Sequence, residues 1–299
     1  MNSTIMEHIT SCNICESNNI EPLDKSRNFW KCTNCGYIFD NPRPTQTEIK
    51  NFYSKPSQYD DWLLHEKQRN DLWKRRITKI GEHEKPGSLL DIGTGIGQFL
   101  YLIQQNYSEV LGIEISKSAI SIAKEKYNLD VLEGDIYNAA IPSGINFDII
   151  TIFHVLEHVP DPKQVIDRCH SLLCQGGKLI VAVPNDVNSL RLSGKALIKR
   201  ILGRCGFGAY KNAGKLGIPR LTLDGSMSEI HFSHFTPDVL QQFLEDSGFE
   251  VIDNSLDPYF VASGLKNFLH KTYYLLMVIL KTLLNKNYYE TIWITARKQ

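Results

Sequence analysis

The sequence predicts an α/β protein built on a doubly wound, mostly parallel sheet, with a small four-cysteine module ahead of it. Three observations carry this expectation. Short runs of Ile, Leu and Val alternate with helical stretches over about residues 86–185. A glycine-rich turn, Asp91-Ile92-Gly93-Thr94-Gly95-Ile96-Gly97, joins the first of these runs to a helix. Two Cys-x2-Cys units stand near the N-terminus.

At 299 residues and 42% hydrophobic content, the chain has room for a full α/β domain and an accessory module. Its 33 Lys and Arg balance 33 Asp and Glu, so no global field draws it to nucleic acid, and any charge argument has to be local. The opening stretch MNSTIMEHIT has neither the basic nor the apolar region of a signal peptide, and a cytoplasmic protein is expected. Three regions follow: a cysteine-rich head (1–45), a polar helical connector (46–85), and an α/β body (86–299) with insertions at about 186–230 and 260–288.

In the head, Cys12, Cys15, Cys32 and Cys35 are spaced so that two tight knuckles converge four thiolates on one tetrahedral ion, and Gly36 permits the second turn. Seven cysteines, four of them in such pairs, point to metal thiolates and not to disulfides. An all-thiolate set of four leaves no open position, so the expected role is structural and the expected metal zinc, although iron fits the same ligands. A ribbon that reads nucleic acid needs a dense basic stripe, and DKSRNFWK is the only basic cluster in the head.

In the body the strands read in order as SLLDIG, EVLGIEI, LDVLEGD, FDIITIF and GKLIVAVPN. TPDVLQQFLEDSGFEVI, a helix and a strand, and a last strand in YETIWITARK complete the sheet. The glycine loop leaves space for a ligand to approach the backbone. A dinucleotide fingerprint would put its third glycine at Gln98; here it is Gly97, which argues against NAD. Glu114 ends the second strand, where a carboxylate can accept hydrogen bonds from both ribose hydroxyls, and Asp135 ends the third, within reach of an adenine amino group. Ile115 and Ile136 follow the acids and are expected to sandwich a flat base.

These segments resemble the class I S-adenosylmethionine-dependent methyltransferases, in the subgroup with an N-terminal zinc ribbon. DIGTGIG is similar to the first motif of that family, Glu114 to its ribose-binding acid, EGD to its adenine-binding motif, and FDIITIFHVLEHVPDP and LLCQGGKLIVAVPN to its fourth and fifth strand segments. The ribbon with CGYIFDNPRPT and the stretch HFSHFTPDVLQQFLEDSGFEV extend the resemblance over most of the chain. It implies a Rossmann-like methyltransferase sheet, S-adenosyl-L-methionine as cofactor, and a pocket formed by Asp91, Gly93, Thr94, Gly95, Gly97, Glu114, Ile115, Asp135, Ile136 and Phe153. A small-molecule or glycan-type acceptor is implied in the same way.

If the acceptor is a hydroxyl, a group must take its proton, and His154, His231 and His234 are the candidates. His154 and His158 in HVLEH are four apart and are expected to share a helix face. The motif reads as a structural helix start, as a base at His154, or as a divalent-metal site of Glu157, His158 and His231. Thr236 and Pro237 read as the N-cap and first turn of the next helix.

Between Arg191 and Arg220 stand eight Lys or Arg, six glycines and no Asp or Glu, the pattern of a mobile lid over an anionic acceptor. The apolar run Tyr273 to Leu280 ends at Lys281 and is too short to span a bilayer, and the stretch LKNFLHKTYYLLMVILKTLLNK around it, edged by lysines, is expected to pack on the sheet, to dimerise, or to lie on a membrane surface. The combined expectation is methyl transfer to a small or glycan-type acceptor, at oxygen. The alternative is a zinc-ribbon binding module with a vestigial nucleotide site.

Overall fold

The computed structural model describes residues 6–24, 28–53, 59–81, 87–205 and 229–299, together with positions 216, 218 and 221. The head holds strands β1 (Met6–Glu7), β2 (Ile20–Asp24), β3 (Phe29–Cys32), β4 (Ile38–Asp40) and β5 (Arg43–Pro44). The connector forms helices α1 (Gln46–Tyr53), α2 (Asp60–Leu64) and α3 (Glu66–Ile80).

The body then runs β6 (Ser88–Ile92), α4 (Gln98–Ile103), β7 (Glu109–Glu114), α5 (Lys117–Tyr127), β8 (Val131–Glu133), β9 (Phe147–Phe153), α6 (Pro162–Leu172), β10 (Leu173–Pro184) and α7 (Leu190–Arg204). After β11 (Ser233–His234) come α8 (Pro237–Asp246), β12 (Phe249–Ser255), α9 (Gly264–Leu284) and β13 (Thr291–Lys298). Helix starts follow local chemistry: Ser116, Asp161, Ser189 and Thr236 each accept a hydrogen bond from the backbone N–H three residues on.

Seven strands form one sheet in the order β12-β13-β10-β9-β6-β7-β8. The pairs among β10, β9, β6, β7 and β8 are parallel, and β13 runs antiparallel between β10 and β12. Helices cover both faces, so the central strands are buried on both sides, and Ile149, Ile150 and Ile152 of β9 are fully enclosed. The order reverses between β6 and β9, which opens a crevice at the carboxyl ends of the strands.

The head is sewn into the body. β11 pairs with β4, opposing Ser233 to Phe39 and His234 to Ile38, and so adds a fourth strand to the head's sheet. Tyr37 donates a hydrogen bond to Ser233 Oγ at 2.6 Å, and Cys12, Cys32, Tyr37 and Phe39 pack in the same apolar core as β9 and β10.

Candidate active site

Positive φ angles at Gly93, Gly95 and Gly97 let the loop after β6 turn back on itself, and the N–H groups of Gly93 and Thr94 donate to Ile113 of β7. A Cβ on Gly95 would stand 2.8 Å from the ring of Trp62. Trp62 comes from α2, carries the Arg69 guanidinium 3.8 Å above its ring, and meets Tyr59 edge to face. The connector thus covers the glycine loop with aromatic side chains. From the sequence it reads only as a polar helical region, because its aromatic residues are scattered among charges.

Asp91 lies beneath the loop. Burial pushes its carboxyl up to about 7, while Thr151 Oγ1 donates to it at 2.6 Å. Glu114 takes three backbone donors: Gly95 N at 2.8 Å, Ile115 N at 2.8 Å and Ser116 N at 2.9 Å. A carboxylate offers about four lone-pair sites, so this one has room for roughly one further donor and not for two ribose hydroxyls at once. Asp135 accepts from the N–H groups of Tyr137 and Asn138 at 2.9 and 3.1 Å, and from Gln46 of α1 at 3.4 Å. Gln46, Lys50, Ile115, Gly134, Asp135 and Asn138 line a crevice between α1 and the ends of β7 and β8. The Asn138 side chain also donates to Asp135 at 2.9 Å, so a nucleoside fits these residues with its amino group in place of the long Gln46 contact, against an apolar wall at Ile115 and with Gly134 where the backbone has to be approached.

Two expected pocket residues lie elsewhere. Ile136 is 2% exposed and packs in the main core, so Ile115 lines the crevice without it. Phe153 does stand at the strand end, but its ring stacks on Trp293 and meets Phe99 edge to face, on the face of the sheet that α3 and α4 cover.

The segment after β9 departs from a plain helix start. His154 has φ of +56°, its N–H donates to Ala182 at 2.8 Å, and only Leu156–His158 form a 3-10 turn. His154 and His158 therefore do not share a helix face. His154 Nδ1 lies 3.4 Å from Glu157 and Nε2 lies 3.6 Å from Asp257, whose carboxylate is paired with Arg76 of α3. Burial pushes the His154 imidazole down, but the two carboxylates outweigh it and leave its pKa raised. Asp257 and Arg76 had no distinctive sequence signal, since each sits far from any motif.

Glu157 is 1% exposed, and neither of its oxygens has a hydrogen-bond partner among the described residues. Ligand atoms of Glu157, His158 and His231 all lie within 4.8 Å of one another. Burial pushes Glu157 up, yet the surrounding histidines hold it below its ordinary value. His158 donates through Nδ1 to the carbonyl of Ile230 at 2.6 Å, and burial lowers its pKa. His231 stands between Asp186 at 3.4 Å and Glu229 at 3.6 Å, which overcome burial and raise it to about 10. His234 is buried at 2%, 3.1 Å from Asp40 of the head and 3.5 Å from Asp186, and is raised to about 9 in the same way.

In the head, Cys12 and Cys35 Sγ atoms are 3.6 Å apart, as are those of Cys15 and Cys32, and all four lie within 4.8 Å of one another. Thiolates about 2.3 Å from a tetrahedral ion stand about 3.8 Å apart, so the cluster fits one. Of the basic run, Lys211, Lys215 and Arg220 lie outside the described residues, as do four of its six glycines, while Arg191 to Arg204 belong to the helix α7.

Residues 65–254 match a family model described as a methyltransferase domain. A ubiquinone biosynthesis O-methyltransferase from Coxiella burnetii is 34% identical over 116 residues, 37% of this chain and 47% of that protein, so the chain spans about half the length of this relative. A demethylmenaquinone methyltransferase from Thermotoga maritima is 25% identical over 191 residues, covering 63% of this chain and 80% of that protein. Among solved structures, magnesium protoporphyrin IX methyltransferase from Synechocystis PCC 6803, with bound SAH, shares the fold with a TM-score of 0.51 at 13% identity, covering 85% of this chain and 99% of that one. With the family match spanning most of the sheet and the glycine loop at its carboxyl end, the chain belongs to the methyltransferase-domain family and has the class I S-adenosylmethionine-dependent fold.

Proposed function

We propose that the protein transfers a methyl group from S-adenosylmethionine to a hydroxyl of a small-molecule acceptor. The observation that carries this reading is the crevice at Ile115, Gly134 and Asp135, beside the Glu114 carboxylate and the glycine loop. When bound, the cofactor supplies an electrophilic methyl group on a sulfonium. The chain's share is to hold and align: Asp135 offers an acceptor to the base, Glu114 to one ribose hydroxyl, and Tyr59 and Trp62 shield the loop from water.

His154 is the proposed proton acceptor. It ends a central strand at the crevice side, and Asp257 and Glu157 raise its basicity. His231, held protonated between two carboxylates, suits orientation of an acceptor oxygen, and buried His234 ties the head to the site through Asp40 and Asp186. The names of the Coxiella and Thermotoga relatives support a small acceptor, and the first supports oxygen as the methylated atom. A glycan-linked or anionic acceptor is the finer reading, supported by the basic run alone. Zinc is the metal proposed for the cysteine cluster, as a brace for the head.

A second reading concerns Glu157, His158 and His231. A buried carboxylate without a hydrogen-bond donor among the described residues, beside two imidazoles, is also a site for a divalent cation that polarises the acceptor oxygen. Incubation with S-adenosylmethionine and a panel of hydroxylated small molecules, followed by mass spectrometry, tests the function. A gain of one methylene mass on an acceptor is expected; a chain that binds no S-adenosylhomocysteine and yields no product would favour the vestigial site.

A further inference from the structure

Two helices of the body turn apolar faces to solvent. On α7, Leu190, Leu197, Ile198 and Ile201 are exposed at spacings of seven, eight and eleven residues, which places them on one face, while Ala196 is buried on the opposite side. Arg191 and Lys195 border that face on one side, and Arg200 and Arg204 on the other. On α9, Tyr273, Tyr274, Met277 and Val278 pack against Leu256 and Tyr289. The other side of α9 carries Phe268, Leu275, Leu276, Ile279 and Leu283, the last of them 74% exposed.

The helices are fastened to one another's ends. The N–H of Leu190 donates to Tyr288 at 3.0 Å, and Asn185 Nδ2 donates to Asn287 at 3.1 Å, so the first turn of α7 sits on the segment that follows α9. Arg191 also pairs with Glu290 at 2.6 Å.

Charge decides what covers these faces. α7 carries five Lys or Arg, α9 carries Lys266, Lys271 and Lys281, and neither helix holds an Asp or Glu. A twofold contact between copies through these helices would oppose cation to cation around the apolar stripe. An anionic lipid surface satisfies both features at once: it buries the apolar side chains among acyl chains and meets the flanking Lys195, Arg200 and Arg204 of α7 and Lys271 of α9 with phosphate. No helix among the described residues is long and apolar enough to cross a membrane, so the geometry suits lying on one. We propose that α7 and α9 dock the protein on an anionic phospholipid bilayer. Because α7 follows β10 directly at the carboxyl end of the sheet, docking brings the site end of the molecule to the lipid boundary. The proposal does not depend on methyl transfer.

The test is cosedimentation of the full chain with vesicles of phosphatidylcholine alone and of phosphatidylcholine mixed with phosphatidylglycerol. The chain is expected to pellet with the anionic vesicles only, and to be released as salt screens the attraction. Ile198→Ser with Ile201→Ser, Phe268→Ser with Leu276→Ser, and Arg200→Glu with Arg204→Glu should each weaken partition by about tenfold or more. These side chains are exposed, so circular dichroism and thermal unfolding should be unchanged in all three pairs. A wild-type chain that stays in the supernatant with both vesicles, or pellets equally with both, overturns the proposal. So does a dimer seen by light scattering that the serine substitutions dissociate, because the faces would then belong to a second copy.

Discussion

Both oxygens of Asp257 accept hydrogen bonds from Arg76, and Oδ2 also lies 3.6 Å from His154 Nε2, so one buried carboxylate links the connector helix to the end of β9. Both partners of the ion pair are about 99% buried or more. Removing only the cation strands a charge in the interior. Arg76→Met should therefore lower unfolding free energy by about 3–5 kcal/mol, read from urea denaturation. A loss under about 1 kcal/mol would mean that the carboxylate finds another partner or takes up a proton at little cost.

Turnover separates the histidines. His154→Ala should lower kcat by about 10²–10⁴-fold with S-adenosylhomocysteine affinity nearly unchanged, as for loss of a general base. His231→Ala should act mainly on acceptor KM. His234→Ala should act mainly on stability, since its ring is enclosed between Asp40 and Asp186. If His154→Ala keeps full turnover and His231→Ala abolishes it, the proton acceptor has been misassigned.

Asp91 makes stability depend on pH. Its carboxyl is raised to about 7 in the folded chain against an unfolded value of about 3.9, so between these values the folded state holds the extra proton. Stability from this group is full below the unfolded value and is lost as pH rises to about 7, with a slope of up to about 1.4 kcal/mol per pH unit. Asp91→Asn should flatten that slope in denaturation curves collected across the window. An unchanged slope would assign the pH dependence to other groups.

The head's metal is testable by elemental analysis of protein purified without chelator, and one zinc or iron per chain is expected. Cys32→Ser should lower Tm and disturb the 231–234 segment as well as the head, because β11 pairs with β4 and Cys32 packs in the shared core. Head unfolding that leaves His231 and His234 chemical shifts unmoved would show that the strand pairing carries no coupling.

The sheet was legible because its strands are apolar on both faces and its turns are marked by glycine. Glu114, Asp135 and the cysteines were legible because position at a strand end, or spacing, fixes where such side chains stand. Other features depend on distant packing. Trp62 reaches Gly95 only once α2 folds over the loop, and Asp257 meets His154 only once β12 and β9 share a sheet. The left-handed turn at His154 was hidden as well, since HVLEH has ordinary helical spacing and its departure from it comes from the bond to Ala182. Ile136 and Phe153 follow the right strand ends but face the core, a choice of side set by neighbouring strands and helices and not by either motif.

Calorimetric titration of S-adenosylhomocysteine into the wild-type chain and into Glu114→Ala, Asp135→Ala and Gly95→Val tests the cofactor site most directly. One site per wild-type chain is predicted. Glu114→Ala should weaken it by about 1–3 kcal/mol, for loss of a charged acceptor. Asp135→Ala should weaken it less, because its carboxylate is also occupied by Asn138. Gly95→Val should do worst, since φ is +58° and any Cβ meets Trp62. No binding to the wild type, or equal affinity in all four proteins, would contradict a cofactor site in this crevice.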